Sequence, residues 1–507
     1  MIAYIDPIIF NPHMNLIKKN LLTLMTSLFV SFHAQAQSTP PKPYGAIPTA
    51  RQLKWHETEM YCLIHFGPIT FTGEQRGFGD ADPNVFNPSK LDAGQIVKAA
   101  KAGGFRGIIL VAKHHDGFHM WPTKVSKYNI SASSWRNGKG DVVKEFQMAC
   151  KKEGLKFGLY NSPWDRNNLN YGSAAYVDDY RNELKELYSN YGPLFMSWHD
   201  GANGGDGFYG GKKEQRKVDP GSYYDWLNTW KITRKLQPDA AIFSDAGLDV
   251  RWVGNEEGFA PETSWSTITL KSTDTRPAMP GFIDTKNLGS GTRNGKKWIP
   301  FEADVPLRPN WFYDADDDDN VKSVEKLFEI YCTSVGRGGG LDLGLSPNKE
   351  GLLHQNDVEV LSKFGILLKE VFANNLAKKA KISVSDTRGA GKQFDISKLT
   401  DTDRYSYWAT KNNIHKASVQ LSYSKPIQFS IIQLRENIKL GQRIDNVKVQ
   451  IFNNNQWEEI AEATSIGANK IIRLKSAQTA DKIRILISAP VSITLSDVGI
   501  YQEPIKI

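Results

Sequence analysis

The chain has 507 residues, an apolar content of 40%, a charged content of 23% and a formal net charge of +8. That length predicts a large domain with an added module, and the ordinary apolar and charged fractions exclude a disordered or fibrous chain. The positive charge is spread without a basic block, so no nucleic-acid partner is expected; the one acidic run, Asp314 to Asp319, reads as a solvated loop.

From Met14 the chain reads MNLIKKNLLTLMTSLFVSFHAQAQ. Lys18 and Lys19 form a basic region, Leu21 to Phe32 an apolar run too short to span a bilayer comfortably, and Ala34-Gln35-Ala36 a small-residue cleavage pattern. Residues 1–36 therefore predict a bacterial Sec-type export signal, with residues 1–13 preceding the functional start, and the mature chain is expected in the periplasm or secreted. No later stretch is apolar enough to cross a membrane, and no Cys beside the cleavage site suggests a lipid anchor.

Short apolar runs then alternate with segments of helical period. The runs are 62–67, 107–115, 156–164, 193–201, 240–247, 298–306 and 341–347, and the amphipathic stretches are 91–102, 141–153, 173–190, 222–236, 320–335 and 356–374. Such alternation predicts parallel β/α units, and seven or eight of them over residues 37–376 predict a (β/α)8-like barrel distorted in its second half. An open doubly wound sheet is the alternative, but no glycine-rich dinucleotide turn follows the early strands. From about residue 377 to Ile507 the pattern changes to short alternating segments rich in Val, Ile and Thr, which predict an antiparallel β-sandwich. Cys62, Cys150 and Cys332 show no metal-ligand spacing and read as buried thiols.

Polar and aromatic residues gather at the C-terminal ends of the predicted strands: His65, His114, His115, Tyr160, Trp164 and Asp200. In a barrel that is the catalytic face. Asp200 follows the run PLFMSW and precedes Gly201, an open position for a carboxylate. His114 and His115 share a site only where their strand has already ended, because neighbouring side chains in a strand point opposite ways. Their spacing favours hydroxyl recognition over metal binding, for which strand-end sites use alternate positions. Arg251 to Gly258, RWVGNEEG, places Glu256 and Glu257 between glycines and reads as a loop. The 13 Trp supply apolar faces suited to sugar rings.

Together these segments resemble glycoside hydrolase family 29, the α-L-fucosidases. The matching motifs run in order: HFGPITF, HHDGFHMWPTKVSKYNI, KFGLYNSPWDR, WHDGANG, DVRWVGNEEG, WIPFEADVPLRPNWFY and SVGRGGG. The resemblance implies an exo-acting double displacement with Asp200 as nucleophile and Glu256 as acid/base, Glu257 being the fallback. It implies fucose contacts from His65, His114, His115 and Tyr160, with stacking by Trp121 and Trp311, and no metal or cofactor for the reaction. Glu302 and Asp304 are further candidate acids, favoured for structural or sugar-contact roles. The RWVGNE-bearing branch prefers α-1,3- and α-1,4-linked fucose in branched, Lewis-type glycans, so a fucosylated oligosaccharide or glycoconjugate is the expected partner. Three departures stand out: His199 before the nucleophile, the segment QRGFGDADPN (75–84), and Asp342 and Gly344 where relatives usually carry Leu and Asn. The C-terminal region resembles discoidin-like carbohydrate-binding modules, in which Asp401 and Asp403 are candidate ligands for a structural calcium. The competing readings are an exo-glycosidase for a related sugar such as an α-L-galactoside, a catalytically inactive carbohydrate-binding protein, and a metal-dependent hydrolase.

Overall fold

A computed structural model describes residues 39–401 and 403–504. The expected export signal therefore lies outside the described residues. Eight parallel strands close into a barrel in chain order: β1 Met60–Ile64, β2 Gly107–Lys113, β3 Lys156–Asn161, β4 Met196–Trp198, β5 Ala241–Ser244, β6 Val250–Trp252, β7 Phe301–Pro306 and β8 Gly340–Leu345. Six helices pack outside: α1 Ala93–Ala102, α2 Val142–Glu153, α3 Ala174–Asn190, α4 Trp226–Leu236, α5 Val324–Thr333 and α6 Gln355–Phe372. Their starts are chemically marked. Asp92, Asp141 and Ser323 each accept a hydrogen bond from the backbone N–H three residues on, satisfying a donor that the first turn cannot.

The seven predicted runs all contain barrel strands. The eighth strand, β6, overlaps the start of the segment read as a loop. It is three residues long; on its β5 side it meets the last two residues of that strand, Phe243 with Val250 and Ser244 with Arg251, and on the other side it pairs with Phe301 and Glu302 of β7. That limited overlap explains how two parallel strands follow one another without a crossover helix, which normally needs a dozen or more residues. The link from β6 to β7 also lacks an α-helix. The Arg251 guanidinium, fully buried, pins it by donating to the carbonyls of Leu288 (2.7 Å), Trp265 (2.9 Å) and Ile299.

The barrel has an outer core between strands and helices and an inner core of its own. Inward side chains include Tyr61, Leu63, Ile109, Val111, Tyr160, Met196, Trp198, Phe243 and Val250. On the β7–β8 side the inward positions are polar: Glu302, Asp304 and Asp342 are buried there.

Past α6 the chain enters an antiparallel domain built on two long strands, β9 Lys416–Arg435 and β10 Lys470–Ser488. Several of the short alternating segments read from the sequence merge into these two. Register shifts between Ser422 and Ile427 and between Phe429 and Ile431 interrupt their ladder. The first half of β9 pairs with Lys381–Val384 and the second with Asp497–Tyr501. Gln442 ties this domain to the barrel's β6–β7 link through Ser264 and Ser266. Glu59, just before β1, meets Arg404 at 2.7 Å and Arg435 at 3.4 Å.

Candidate functional site

Alternation along β4 decides what reaches the pocket. Met196 and Trp198 point into the lumen, Ser197 and His199 out toward α3 and α4, and Asp200 follows on the inner side. Its Oδ2 accepts the Tyr160 hydroxyl at 2.9 Å, its Oδ1 accepts the Ala202 N–H at 2.8 Å, and His115 Nε2 lies 3.8 Å from Oδ2. The neighbouring Gly201 is required by packing: a Cβ there would stand 2.6 Å from an oxygen of Asp245.

β2 ends at Lys113, so His114 and His115 lie beyond the pleat and turn to the same site, their rings 4.1 Å apart. His115 Nδ1 pairs with Ser162 Oγ at 2.7 Å. The His114 ring packs against Tyr160 (6.1 Å) and His65 (5.6 Å). Burial, and then the charge of His115, depress His65 to about 3; burial also lowers His114 and His115, the last against the opposing pull of Asp200. The three imidazoles are accordingly neutral near pH 7, each able to donate and accept. The buried Nδ1 atoms of His65 and His114 have no partner within the protein.

The second carboxylate arrives from the loop after β6. Glu256 is exposed, and its Oε2 accepts the Trp311 indole N–H at 3.2 Å. The Trp311 ring lies 4.9 Å from His65, and His65 lies 6.3 Å from Tyr160. A run of contacts thus joins Asp200, Tyr160, His65, Trp311 and Glu256. Glu257, also exposed, has its backbone N–H held by the Asn255 side chain at 3.0 Å.

One expectation needs correction. Trp121 is 1% exposed; its N–H donates to Glu186 at 3.0 Å and its ring meets His119 rather than the Asp200 cluster. It is a packing residue between β2 and α3. The departure at His199 does not reach the Asp200 cluster. The imidazole faces outward, fully buried, with Nδ1 paired to the Tyr180 hydroxyl and Nε2 to Ser197.

Sequence reasoning missed two features. Asp245, just past β5, accepts the N–H groups of Gly281 and Ala246. Burial pushes it up to about 7, and Asp200 adds to the rise. Nothing in the run AAIFSDAG separates it from an ordinary turn aspartate. The other is a buried group behind His114: Lys113 Nζ lies 2.7 Å from Glu183 and 3.3 Å from Asp165, and His119 lies 3.0 Å from Glu183. Among the described residues, His119, Asp165 and Glu183 form the one His/carboxylate cluster with metal-like spacing, but the Lys113 ammonium already supplies a cation to two of its members. In the C-terminal domain, Asp401 accepts from the Asp403 N–H and the Ser406 hydroxyl, and Asp403 from the Tyr405 N–H, so both carboxylates are engaged by their own loop.

Comparison with known proteins converges on one family. The α-L-fucosidase family model matches residues 44–371, and that of the NedA-like, galactose-binding domain matches residues 398–485. The chain is 35% identical over 469 residues to alpha-L-fucosidase 1 of Arabidopsis thaliana, covering 91% of this chain and 89% of that one. It superposes on a glycoside hydrolase 29 family member from an unknown rumen bacterium with a TM-score of 0.80 at 38% identity, over 92% of this chain and 79% of the other. A Ruminococcus gnavus family 29 fucosidase in complex with fucose matches with a TM-score of 0.81 at 28% identity, over 92% and 97%.

Proposed function

Because this chain belongs to glycoside hydrolase family 29, the α-L-fucosidases, and hydrolyses α-L-fucosides, we propose that it works by double displacement with Asp200 as nucleophile and Glu256 as acid/base. The observation that carries this reading is the run of contacts between the two carboxylates: Asp200 is held by Tyr160, Glu256 by Trp311, and the His65 ring packs against both holders. Asp200 attacks the anomeric carbon while Glu256 protonates the departing glycosidic oxygen. Glu256, now a base, then takes a proton from the water that releases fucose, with net retention. Neutral His65, His114 and His115 hold the fucose hydroxyls, and Trp311 lies along the apolar side of the sugar.

The leaving glycan is proposed to be a branched, Lewis-type one, carrying α-1,3- or α-1,4-linked fucose. The support is the RWVGNE loop that delivers Glu256 from β6. The export signal read in residues 14–36 supports a periplasmic or secreted enzyme. Among the described residues, no helix is long and apolar enough to cross a membrane.

Product analysis on a Lewis-type trisaccharide and on 2′-fucosyllactose tests the proposal, using wild type, Asp200→Ala and Glu256→Ala. The Lewis substrate should be cleaved faster, and both variants should lose it. Azide should rescue Asp200→Gly with an inverted fucosyl azide. Near-normal activity in Glu256→Ala, with loss in Glu257→Ala or Glu302→Ala, would move the acid/base role elsewhere.

A further inference from the structure

β7 sends two carboxyls into the lumen, Glu302 and Asp304, and each holds an indole from another strand. Trp198 Nε1 donates to Glu302 Oε1 at 2.7 Å, and the Tyr61 hydroxyl donates to Oε2. Trp252 Nε1 donates to Asp304 Oδ1 at 2.7 Å. These two indoles lie two and four residues upstream of the proposed catalytic groups. Trp198 precedes Asp200 by two residues on the same face of β4, and its ring stacks 5.0 Å from Tyr160, whose hydroxyl donates to Asp200. Trp252 closes β6, four residues before Glu256.

Among the described residues, neither carboxyl has a cation in salt-bridge contact. The titratable groups that face them are Tyr61 from β1, Asp342 from β8, which pairs with Asp304 in register, and Glu256 from the loop after β6. Burial raises Glu302, Asp304 and Asp342 alike. Burying carboxyls without a cation is costly, and apolar side chains would fill a lumen at less cost. What the carboxyls add is direction: each fixes an indole by a hydrogen bond that Leu or Val could not accept. Their spacing along one strand is set by the backbone, roughly 6.5–7 Å for two residues.

We propose that Glu302 and Asp304 are positioning residues: β7 acts as a common rail that sets the separation of Asp200 and Glu256 through Trp198 and Trp252. The proposal rests on the assignment of those two catalytic carboxyls. A double displacement needs them roughly 5–5.5 Å apart, so one rail holding both carriers addresses the quantity to which the chemistry is most sensitive.

Two double-mutant cycles test this, with kcat and KM on a Lewis-type trisaccharide and the melting temperature of every variant: Glu302→Gln with Trp198→Phe, and Asp304→Asn with Trp252→Phe. Each carboxyl variant should lose about 10–100-fold in kcat, the cost of a misplacement near 1 Å, while KM moves by less than about threefold. Azide should restore none of them, since no reacting group has been removed. In each cycle the double variant should be no worse than the Trp→Phe variant alone, because the carboxyl then has no indole to hold. Multiplicative losses in either cycle, wild-type kcat in both carboxyl variants, or azide rescue of Asp304→Asn would overturn the proposal. Phe keeps most of the ring, so the tryptophan arms still read out if a carboxyl variant fails to fold: wild-type kcat in both Trp198→Phe and Trp252→Phe would also overturn it. Full activity in Asp200→Ala or Glu256→Ala is a different failure, that of the catalytic assignment itself.

Discussion

Gly344 lies where a Cβ would stand 2.6 Å from the six-membered ring of Trp311. The inner face of β8 is thus bare at the position over which Trp311 rests, and that indole both touches His65 and donates to Glu256. A side chain at 344 and this placement of Trp311 exclude each other. Gly344→Ala should therefore push the indole away, costing about 1–3 kcal/mol of stability as overpacking and lowering kcat/KM for a fucoside. Urea unfolding and steady-state kinetics check both, with Trp311→Phe as the comparison: the Ala substitution should add less to a variant that has already lost the N–H. Wild-type kcat/KM in Gly344→Ala would mean that the Trp311 contact contributes nothing.

Asp245 gives a pH signature. Burial raises its carboxyl from the ordinary 3.8 to about 7, so the folded protein binds a proton there that the unfolded chain releases. Its favourable contribution is present below about pH 4 and is lost as pH rises through about 7. Asp245→Asn abolishes that loss. The melting temperature of the variant minus that of wild type should become more positive between pH 5 and pH 8, measured by differential scanning calorimetry. A difference independent of pH would show that Asp245 does not titrate in this window.

Lys113 behaves oppositely. It compensates Glu183 and Asp165 in a buried cluster, and despite burial, which raises Glu183, Lys113 and His119 hold that carboxyl down at about 2. The resulting stability is present above the ordinary value of 4.5 and lost as pH falls through about 2. Lys113→Met strands two buried carboxylates and should cost about 3–5 kcal/mol at pH 7. The deficit should shrink by pH 3, as read by denaturant titration at both pH values.

Glu59 tests whether the C-terminal domain braces the barrel. It adopts φ +59°, in the left-handed region that few non-glycine residues visit, and meets Arg404 and Arg435 from the second domain as well as Arg106 of the barrel at 3.7 Å. Glu59→Gln should lower stability by about 1–3 kcal/mol through lost charge-assisted hydrogen bonds. It should speed limited proteolysis between the domains and leave kcat and KM unchanged.

Much of this architecture is legible in the residues because the signals are local. CLIHFG, GIILVAKHH and KFGLYNSPW announce strands that end in polar groups, and the (β/α) alternation places those ends on one rim. The direction of His199 was also readable, from the alternation that turns Trp198 inward, but a motif comparison obscures it. β6 escaped notice because three residues carry no periodicity. The Lys113 cluster and the hold of Asp245 on Gly281 depend on residues 36 to 70 positions apart, a separation that no local pattern encodes. Trp121 shows the converse: the family resemblance implies a sugar platform there, whereas Glu186 on α3 takes its N–H.

The central claim is that Asp200 becomes covalently joined to the sugar. Incubation with 2-deoxy-2-fluoro-α-L-fucosyl fluoride, followed by peptide mapping by mass spectrometry, tests it most directly. One fluorofucosyl group per chain is expected, on Asp200 in the peptide containing Trp198 and Gly201, and none in Asp200→Ala. A label on Asp245, Glu256 or Glu302, or turnover with inverted product and no label, would contradict it.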